Sequence, residues 1–132
     1  MCDCDTGYIV DFIIYTGAQS DIRTFDEDIG KSGNIVMTLM QPYLDSGHTL
    51  YLDNWDRSPL LFTLLHNRQT NACATARANR KYLPKMKEKL EVGQVVFYTT
   101  SNLLALKWRD KRDVMMVCFV VLWARLATIW KN

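Results

Sequence analysis

The sequence predicts an α/β domain with an appended antiparallel β meander and an apolar C-terminal tail. Up to residue 76, strand-like and helix-like segments alternate in the order strand-helix-strand-helix-strand, which is typical of an α/β layer. Beyond residue 94 every patterned segment resembles a strand. The length of 132 residues fits one domain, and 48% hydrophobic with 23% charged residues is typical of a globular protein.

The first part of the sequence contains a predicted strand, a loop and a helix, and the helix ends at a clear stop signal. Residues 8–15 are rich in β-branched and aromatic side chains and are predicted to form a strand. Residues 16–31 are polar, acidic and without a period, which predicts a loop. Apolar residues then recur at helical spacing over 36–44, and Pro42 should kink this helix or begin a separate last turn. The Asp-Ser-Gly sequence at 45–47 should end it.

A strand-helix-strand unit follows. The short apolar strand 49–52 leads into Asp53, and Ser58 followed by Pro59 is a typical helix start. Residues 71–76 are the next predicted strand. The predicted buried face of the helix between them consists of Leu61, Leu64 and Leu65.

The last third of the sequence is predicted to form three antiparallel strands. Residues 95–99 and 103–108 flank a short hairpin loop, and a turn at 110–112 leads into an apolar run. The unbroken part, 114–124, is shorter than the roughly 18 residues that a membrane span requires. We therefore expect a buried strand followed by an apolar tail and no membrane association, with a membrane anchor as the alternative.

Charge is divided unevenly along the chain. Residues 1–56 contain ten acidic and two basic residues, whereas residues 57–132 contain four acidic and fourteen basic residues. An acidic half beside a basic half fits a metal site next to a polyanion-binding surface, and ordinary surface charge is the alternative. The four cysteines, at 2, 4, 73 and 118, form no paired framework, which indicates a reducing, intracellular compartment.

Two aspartates are candidate metal ligands. Asp53 follows a buried strand, where α/β folds present ligand-binding side chains, and Asp3 lies near the chain start. Two carboxylates on neighbouring strand ends would indicate a divalent-metal site for phosphoryl transfer. The alternatives are a helix or turn cap for Asp53 and a frayed terminus for Asp3. Zinc and P-loop signatures are absent from the sequence, since Cys2-x-Cys4 and Gly30-Lys31-Ser32 match neither pattern.

The segment 77–89 is a candidate nucleic-acid surface, and a solvated linker is the alternative. Tyr82 within it could stack on a base. The predicted phosphate contacts are Arg77, Arg80, Lys81, Lys85, Lys87 and Lys89.

Several motifs resemble the piggyBac transposase family. The most specific is the Asp-Asn-Trp block at 53–55, and the resemblance extends from residue 1 to about 113. The other matching segments are 2–3, 5–8, 32–36, 42–52, 58–62, 70–73, 79–81, 83–85 and 104–108.

The resemblance implies an RNase H-like catalytic core with a β-rich insertion, and DNA cutting and joining at TTAA sites by three aspartates with Mg²⁺ or Mn²⁺. Asp3 matches the first catalytic aspartate and Asp53 the second. It implies a partial core over 1–78, a basic linker and β-rich insertion over 79–113, and an apolar strand and tail over 114–132 that diverge from the family. It also implies a nuclear location and DNA, a second copy or a transposase chain as partner.

The departures from the family pattern concern catalysis. The third family aspartate lies on a helix after the insertion, but here the last acidic residue is Asp113. Ala74 stands where the family usually has glycine, and Asp56 and Arg57 replace a Tyr-Thr pair. We therefore expect a truncated, transposon-derived domain without transposase activity. The alternatives are a non-catalytic module that binds nucleic acid or a transposase, and a decayed fragment.

Overall fold

A five-stranded mixed sheet organises the described part of the chain. The computed structural model describes residues 1–55, 59–78 and 83–119. Two short 3-10 turns, Gly17–Gln19 and Gln41–Tyr43, accompany the regular elements. The helices are α1 (Gly30–Met40) and α2 (Leu60–Asn67), and the strands are β1 (Thr49–Trp55), β2 (Asn71–Ala76), β3 (Val95–Thr99), β4 (Leu103–Arg109) and β5 (Asp113–Phe119).

The strand order β1-β2-β5-β4-β3 joins the two predicted parts in one sheet. β1 and β2 are parallel and connected through α2, while β3, β4 and β5 form an antiparallel meander. β5 pairs antiparallel with β2, with Cys73 opposite Cys118 and Ala74 opposite Val117. The meander was therefore predicted correctly, but it is continuous with the α/β part because its last strand completes the ladder of β2.

The sheet has a buried cluster on each face. The helix-side cluster packs α1 and α2 onto small side chains of β2, Ala72 and Ala74, and onto Val117 and Phe119 of β5. The opposite-face cluster is smaller and contains Cys73, Leu104, Leu106 and Cys118. Because side chains alternate along a strand, Ala72 and Ala74 belong to the helix-side cluster and Cys73 between them to the opposite face, and Cys118 lies likewise between Val117 and Phe119.

The helix α1 is anchored by a buried polar residue. The side-chain oxygen of Asn34 accepts a hydrogen bond from the backbone N–H of Phe25, 2.6 Å away, and its amide donates to the carbonyl of Asp26 at 2.9 Å. These bonds hold the acidic loop against the helix. Pro42 lies in a separate 3-10 turn, Gln41–Tyr43, as predicted, since its ring cannot continue the α-helical hydrogen bonds.

The predicted strand at residues 8–15 is wrong. Ile9 alone forms a bridge, antiparallel to Cys2, and the bridge lies outside the five-stranded sheet. Tyr8, Phe12 and Ile14 are 73%, 67% and 73% exposed. β-branched and aromatic side chains favour a strand only where a neighbouring strand accepts the backbone hydrogen bonds, and in the described sheet this segment pairs with neither edge strand, β1 or β3.

Two further predictions fall partly outside the described residues. The helix start at Ser58 and the tail from residue 120 lie there, whereas the beginning of the apolar run forms β5 as predicted. Neither α1 nor α2 is long and apolar enough to cross a membrane, and this holds for every helix in the described part of the chain.

Candidate metal site and nucleic-acid surface

Asp53 lies in a bulge of β1, where its side chain is oriented by the neighbouring strand. Leu52 pairs with Ala74 and Trp55 with Ala76, so β1 has one residue more than β2 over this interval. Bulges redirect side chains and are frequent beside active sites. The Oδ1 atom of Asp53 accepts a hydrogen bond from the hydroxyl of Thr75, 2.8 Å away. The carboxylate is exposed, so solvent and ions can reach it.

Asp3 stabilises a tight turn near the chain start. Its Oδ1 atom accepts hydrogen bonds from the backbone N–H groups of Asp5 and Thr6, at 2.7 and 3.0 Å. These two bonds favour the charged form and hold the pKa of the Asp3 carboxyl below its usual range. The backbone N–H of Asp3 also donates to the carbonyl of Tyr8, which closes the turn beside the Cys2–Ile9 bridge.

The predicted placement of both aspartates on adjacent strand ends is not found. Asp53 is part of the five-stranded sheet, whereas Asp3 follows the isolated bridge outside it. Across residues 1–55, 59–78 and 83–119, no three His, Cys, Asp or Glu side chains are grouped so that they could hold a metal ion. Two-metal phosphoryl transfer needs several carboxylates around ions roughly 4 Å apart. The described acids therefore do not fit a Mg²⁺ or Mn²⁺ pair.

The basic segment, by which we mean residues 85–89, is attached to the meander by a buried lysine. Lys107 on β4 is only 4% exposed, and its ammonium donates hydrogen bonds to the carbonyls of Met86, at 3.1 Å, and Glu88. A buried cation must be compensated by such acceptors, because leaving water is costly for a charge. The segment around residues 85–89 is thus fixed to the sheet, which excludes a freely solvated linker for this stretch.

A second attachment involves the carboxylate of Glu88. The hydroxyl of Tyr98 on β3 donates to Glu88 Oε1 at 2.5 Å. This bond stabilises the carboxylate, so the pKa of Glu88 is lowered and the pKa of Tyr98 is raised. Lys85, Lys87 and Lys89 alternate with residues whose carbonyls or carboxylates face the sheet, and all three are exposed. The lysines therefore project from a fixed backbone.

A cavity of about 440 Å³ lies between this segment and the meander. Arg109 on its wall donates to the carboxylate of Asp113 at 2.8 Å, and this bond lowers the pKa of Asp113. Basic side chains outnumber acidic ones on the wall, so the cavity favours anions. Its charged lining residues are Lys87, Glu88, Lys89, Lys107, Arg109 and Asp113.

The structure extends the predicted basic set. Arg77 is exposed just after β2, while Arg80 and Lys81 lie outside the described residues. Sequence reasoning missed Lys107 and Arg109, which contribute positive charge to the cavity. The available signal was their position two residues apart on one strand, which places both on the same face of the sheet.

Comparison with known proteins identifies the family. The sequence model described as Transposase IS4 matches residues 1–122. The chain belongs to the IS4/piggyBac transposase family. A solved relative of the fold is a piggyBac transposase, determined by cryo-electron microscopy as a synaptic complex with hairpin DNA. The similarity has a TM-score of 0.61 at 22% identity and covers 72% of this chain but 21% of that transposase chain. The piggyBac resemblance drawn from the sequence motifs is thereby confirmed.

Proposed function

We propose that this piggyBac-like domain binds DNA through the phosphate backbone and, as a 132-residue chain, does not cut or join it. The observation that carries the proposal is the basic segment 85–89 held against the sheet by Lys107. The runner-up is a contribution to catalysis in which Asp53 supplies one carboxylate of a larger site. Its oriented position in the β1 bulge supports that reading.

A fixed row of lysines suits a backbone-binding surface. Phosphate contacts give affinity without reading the base sequence, and they need cations at reproducible positions. Lys85, Lys87 and Lys89 meet that requirement because the segment between them is bonded to β4 and β3. The cavity beside them is lined by Arg109 as well, whose charge is balanced there by Asp113.

The finer architecture belongs to the same proposal. The helix-covered part, residues 1–78, would be the partial RNase H-like core, and residues 79–113 would be the basic linker and β-rich insertion. The similarity to the solved piggyBac transposase supports this assignment at the level of the fold. A nuclear location follows from DNA as the partner, and a fluorescent fusion observed in cells tests it.

Salt-dependent DNA binding is the decisive experiment. Affinity for a duplex of arbitrary sequence should fall linearly on a log–log plot, with a slope of about −0.9 for each phosphate contacted. The double variant Lys87→Ala/Lys89→Ala should lower the magnitude of that slope by about 1.8. The matched control is Arg23→Ala/Lys31→Ala, which removes the same charge from the acidic half. Equal effects of the two variants would assign binding to net charge and exclude this surface.

Cleavage assays test the second half of the proposal. With Mg²⁺ or Mn²⁺ the chain should neither nick nor join TTAA-flanked DNA, because the described acids do not group around a metal pair. Cleavage by the wild-type chain that is abolished in Asp53→Ala would overturn this expectation. It would also establish the runner-up reading, with the remaining ligands supplied by residues outside the described part.

A protein-contact role is a third candidate, after the catalytic runner-up. Tyr8, Ile9, Phe12 and Ile14 expose apolar side chains within one short segment. A second copy of this chain, or a transposase chain, could cover them and remove that apolar surface from water. Sedimentation of Phe12→Ser/Ile14→Ser beside wild type tests this candidate. Self-association that is unchanged in the variant would remove it.

A further inference from the structure

Cys73 and Cys118 face each other across the junction between the two parts of the sheet. They are direct register partners in the antiparallel β2–β5 ladder. Cys73 is 1% exposed and Cys118 is fully buried, and both belong to the opposite-face cluster with Leu104 and Leu106. Neither thiol takes part in the proposed DNA surface, so the pair needs a separate explanation.

The ladder brings the two cysteines close to disulfide geometry. Directly opposite residues of an antiparallel pair have Cα atoms about 4.5–5.5 Å apart, which lies within the range of about 4.4–6.8 Å found in disulfides. Their Cβ atoms are about 4.5–5.5 Å apart, roughly 1 Å more than a relaxed disulfide has. A bond here can therefore form with a small movement, and the residual strain makes it easy to reduce.

The two thiols differ in acidity because they are hydrogen-bonded to each other. The S–H of Cys118 donates to the sulfur of Cys73, which stabilises the Cys73 thiolate and lowers the pKa of Cys73. The same bond, with burial, raises the pKa of Cys118. The thiolate is the reactive form of cysteine, and we assign the attacking role to Cys73, whose pKa is lowered, and the resolving role to Cys118.

We propose that Cys73 and Cys118 form a peroxide-sensitive dithiol that closes into a reversible cross-strand disulfide. The Cys73 thiolate attacks one oxygen of hydrogen peroxide, the O–O bond breaks, and Cys73 becomes a sulfenic acid as hydroxide leaves. The Cys118 sulfur then attacks the Cys73 sulfur and displaces the hydroxyl group, which takes up the Cys118 proton as water. In total, two thiols and one peroxide give one disulfide and two waters.

Burial selects a small oxidant. Hydrogen peroxide is close to water in size and can reach a thiol through brief local openings of the sheet. A bulky disulfide such as oxidised glutathione needs β2 and β5 to separate before it can react. The product would join the strand that contains Thr75, the partner of Asp53, to the last strand of the meander.

The test uses the full chain with its exposed thiols removed. In Cys2→Ser/Cys4→Ser, hydrogen peroxide should lower the intact mass by about 2 Da, the loss of two hydrogens. Trypsin should then release residues 69–77 linked to residues 113–125, since each peptide contains one of the two cysteines. Dithiothreitol should restore both the mass and the separate peptides. Oxidised protein should melt several degrees higher than reduced protein, because the cross-link constrains the unfolded chain.

Matched variants separate this site from general oxidation. Cys118→Ala in the same background should trap Cys73 as a sulfenic acid that a dimedone probe labels, with no linked peptide. Three results would each overturn the proposal: no linked peptide at any peroxide concentration, stepwise gain of oxygen by both cysteines without linkage, or linkage only after the protein is unfolded. Faster linkage by oxidised glutathione than by peroxide would contradict the choice of oxidant.

Discussion

The hydroxyl of Thr75 donates a hydrogen bond to Asp53 Oδ1 across the parallel strands β1 and β2, over 2.8 Å. The bond forms where β1 has an extra residue relative to β2. The sheet therefore fixes the direction of a carboxylate whose catalytic role is a prediction from the sequence. The orientation is a property of two strands and does not depend on a bound ion.

Thr75→Val should loosen Asp53 without changing the packing volume. Removing one such hydrogen bond costs about 0.5–1.5 kcal/mol of the free energy of unfolding. Asp53→Asn should cost less, because the amide oxygen still accepts from Thr75. Urea denaturation of Thr75→Val, of Asp53→Ala, which removes the acceptor, and of the double variant measures the coupling. If the two effects add without any coupling, the bond makes no contribution to stability.

Lys107→Met should release the basic segment from the meander. The substitution leaves the carbonyls of Met86 and Glu88 without their donor, which should cost about 1–3 kcal/mol. Hydrogen exchange of the amides at 85–90 should accelerate more than that of α2, because these amides lose a local restraint in addition to the loss of global stability. Lys111→Met, at an exposed turn position, is the control and should change neither quantity. Unchanged exchange at 85–90 in Lys107→Met would show that other contacts hold the segment.

Gly33→Ala should destabilise the protein although alanine favours helices. A Cβ at this position would lie 2.8 Å from the Cβ of Ile29, which is fully buried and cannot move away. Overpacking of this kind costs about 1–3 kcal/mol, more than the roughly 1 kcal/mol that alanine gains over glycine in a helix. Ser32→Ala, on the exposed side of the same helix, should be neutral or stabilising. A higher melting temperature for Gly33→Ala would contradict the close contact.

Acid should destabilise the fold through the Asp45–Arg68 pair. The hydrogen bond from Arg68 lowers the pKa of Asp45 below its ordinary value of 3.8. The Asp45 carboxylate therefore binds a proton more readily in the unfolded chain than in the folded chain. This stabilisation is present above about pH 4 and is lost as the pH falls further. Asp45→Asn should flatten the decline in urea midpoint between about pH 5 and pH 2, and asparagine tolerates the local φ of 62°.

Arg68→Gln provides the matched test of this pH dependence. It removes the cause of the lowered pKa without touching the acid, so it should flatten the same part of the curve. The double variant should flatten it no further than either single variant does. A steep acid decline that persists in all three would place the titrating group elsewhere.

The local sequence pattern predicted the structure correctly wherever a segment's structure depends only on its own residues. β2 and β3 have the predicted bounds, and the α-helix gives way to a new turn at Pro42, because each depends on short-range propensity. The strand predicted at 8–15 failed because a strand also needs a partner edge, which its own residues do not encode. The bulge at Asp53 and the attachment by Lys107 depend on which strands become neighbours, and that information is distributed over the whole chain.

The pairing of β2 with β5 also affects how the domain unfolds. A meander attached through a flexible linker could melt by itself, and two transitions would appear. Here β5 shares a ladder with β2, and its Val117 and Phe119 complete the core under α2. Separating the two parts would expose this core and break that ladder in the same event. The described sheet should therefore unfold as one cooperative unit.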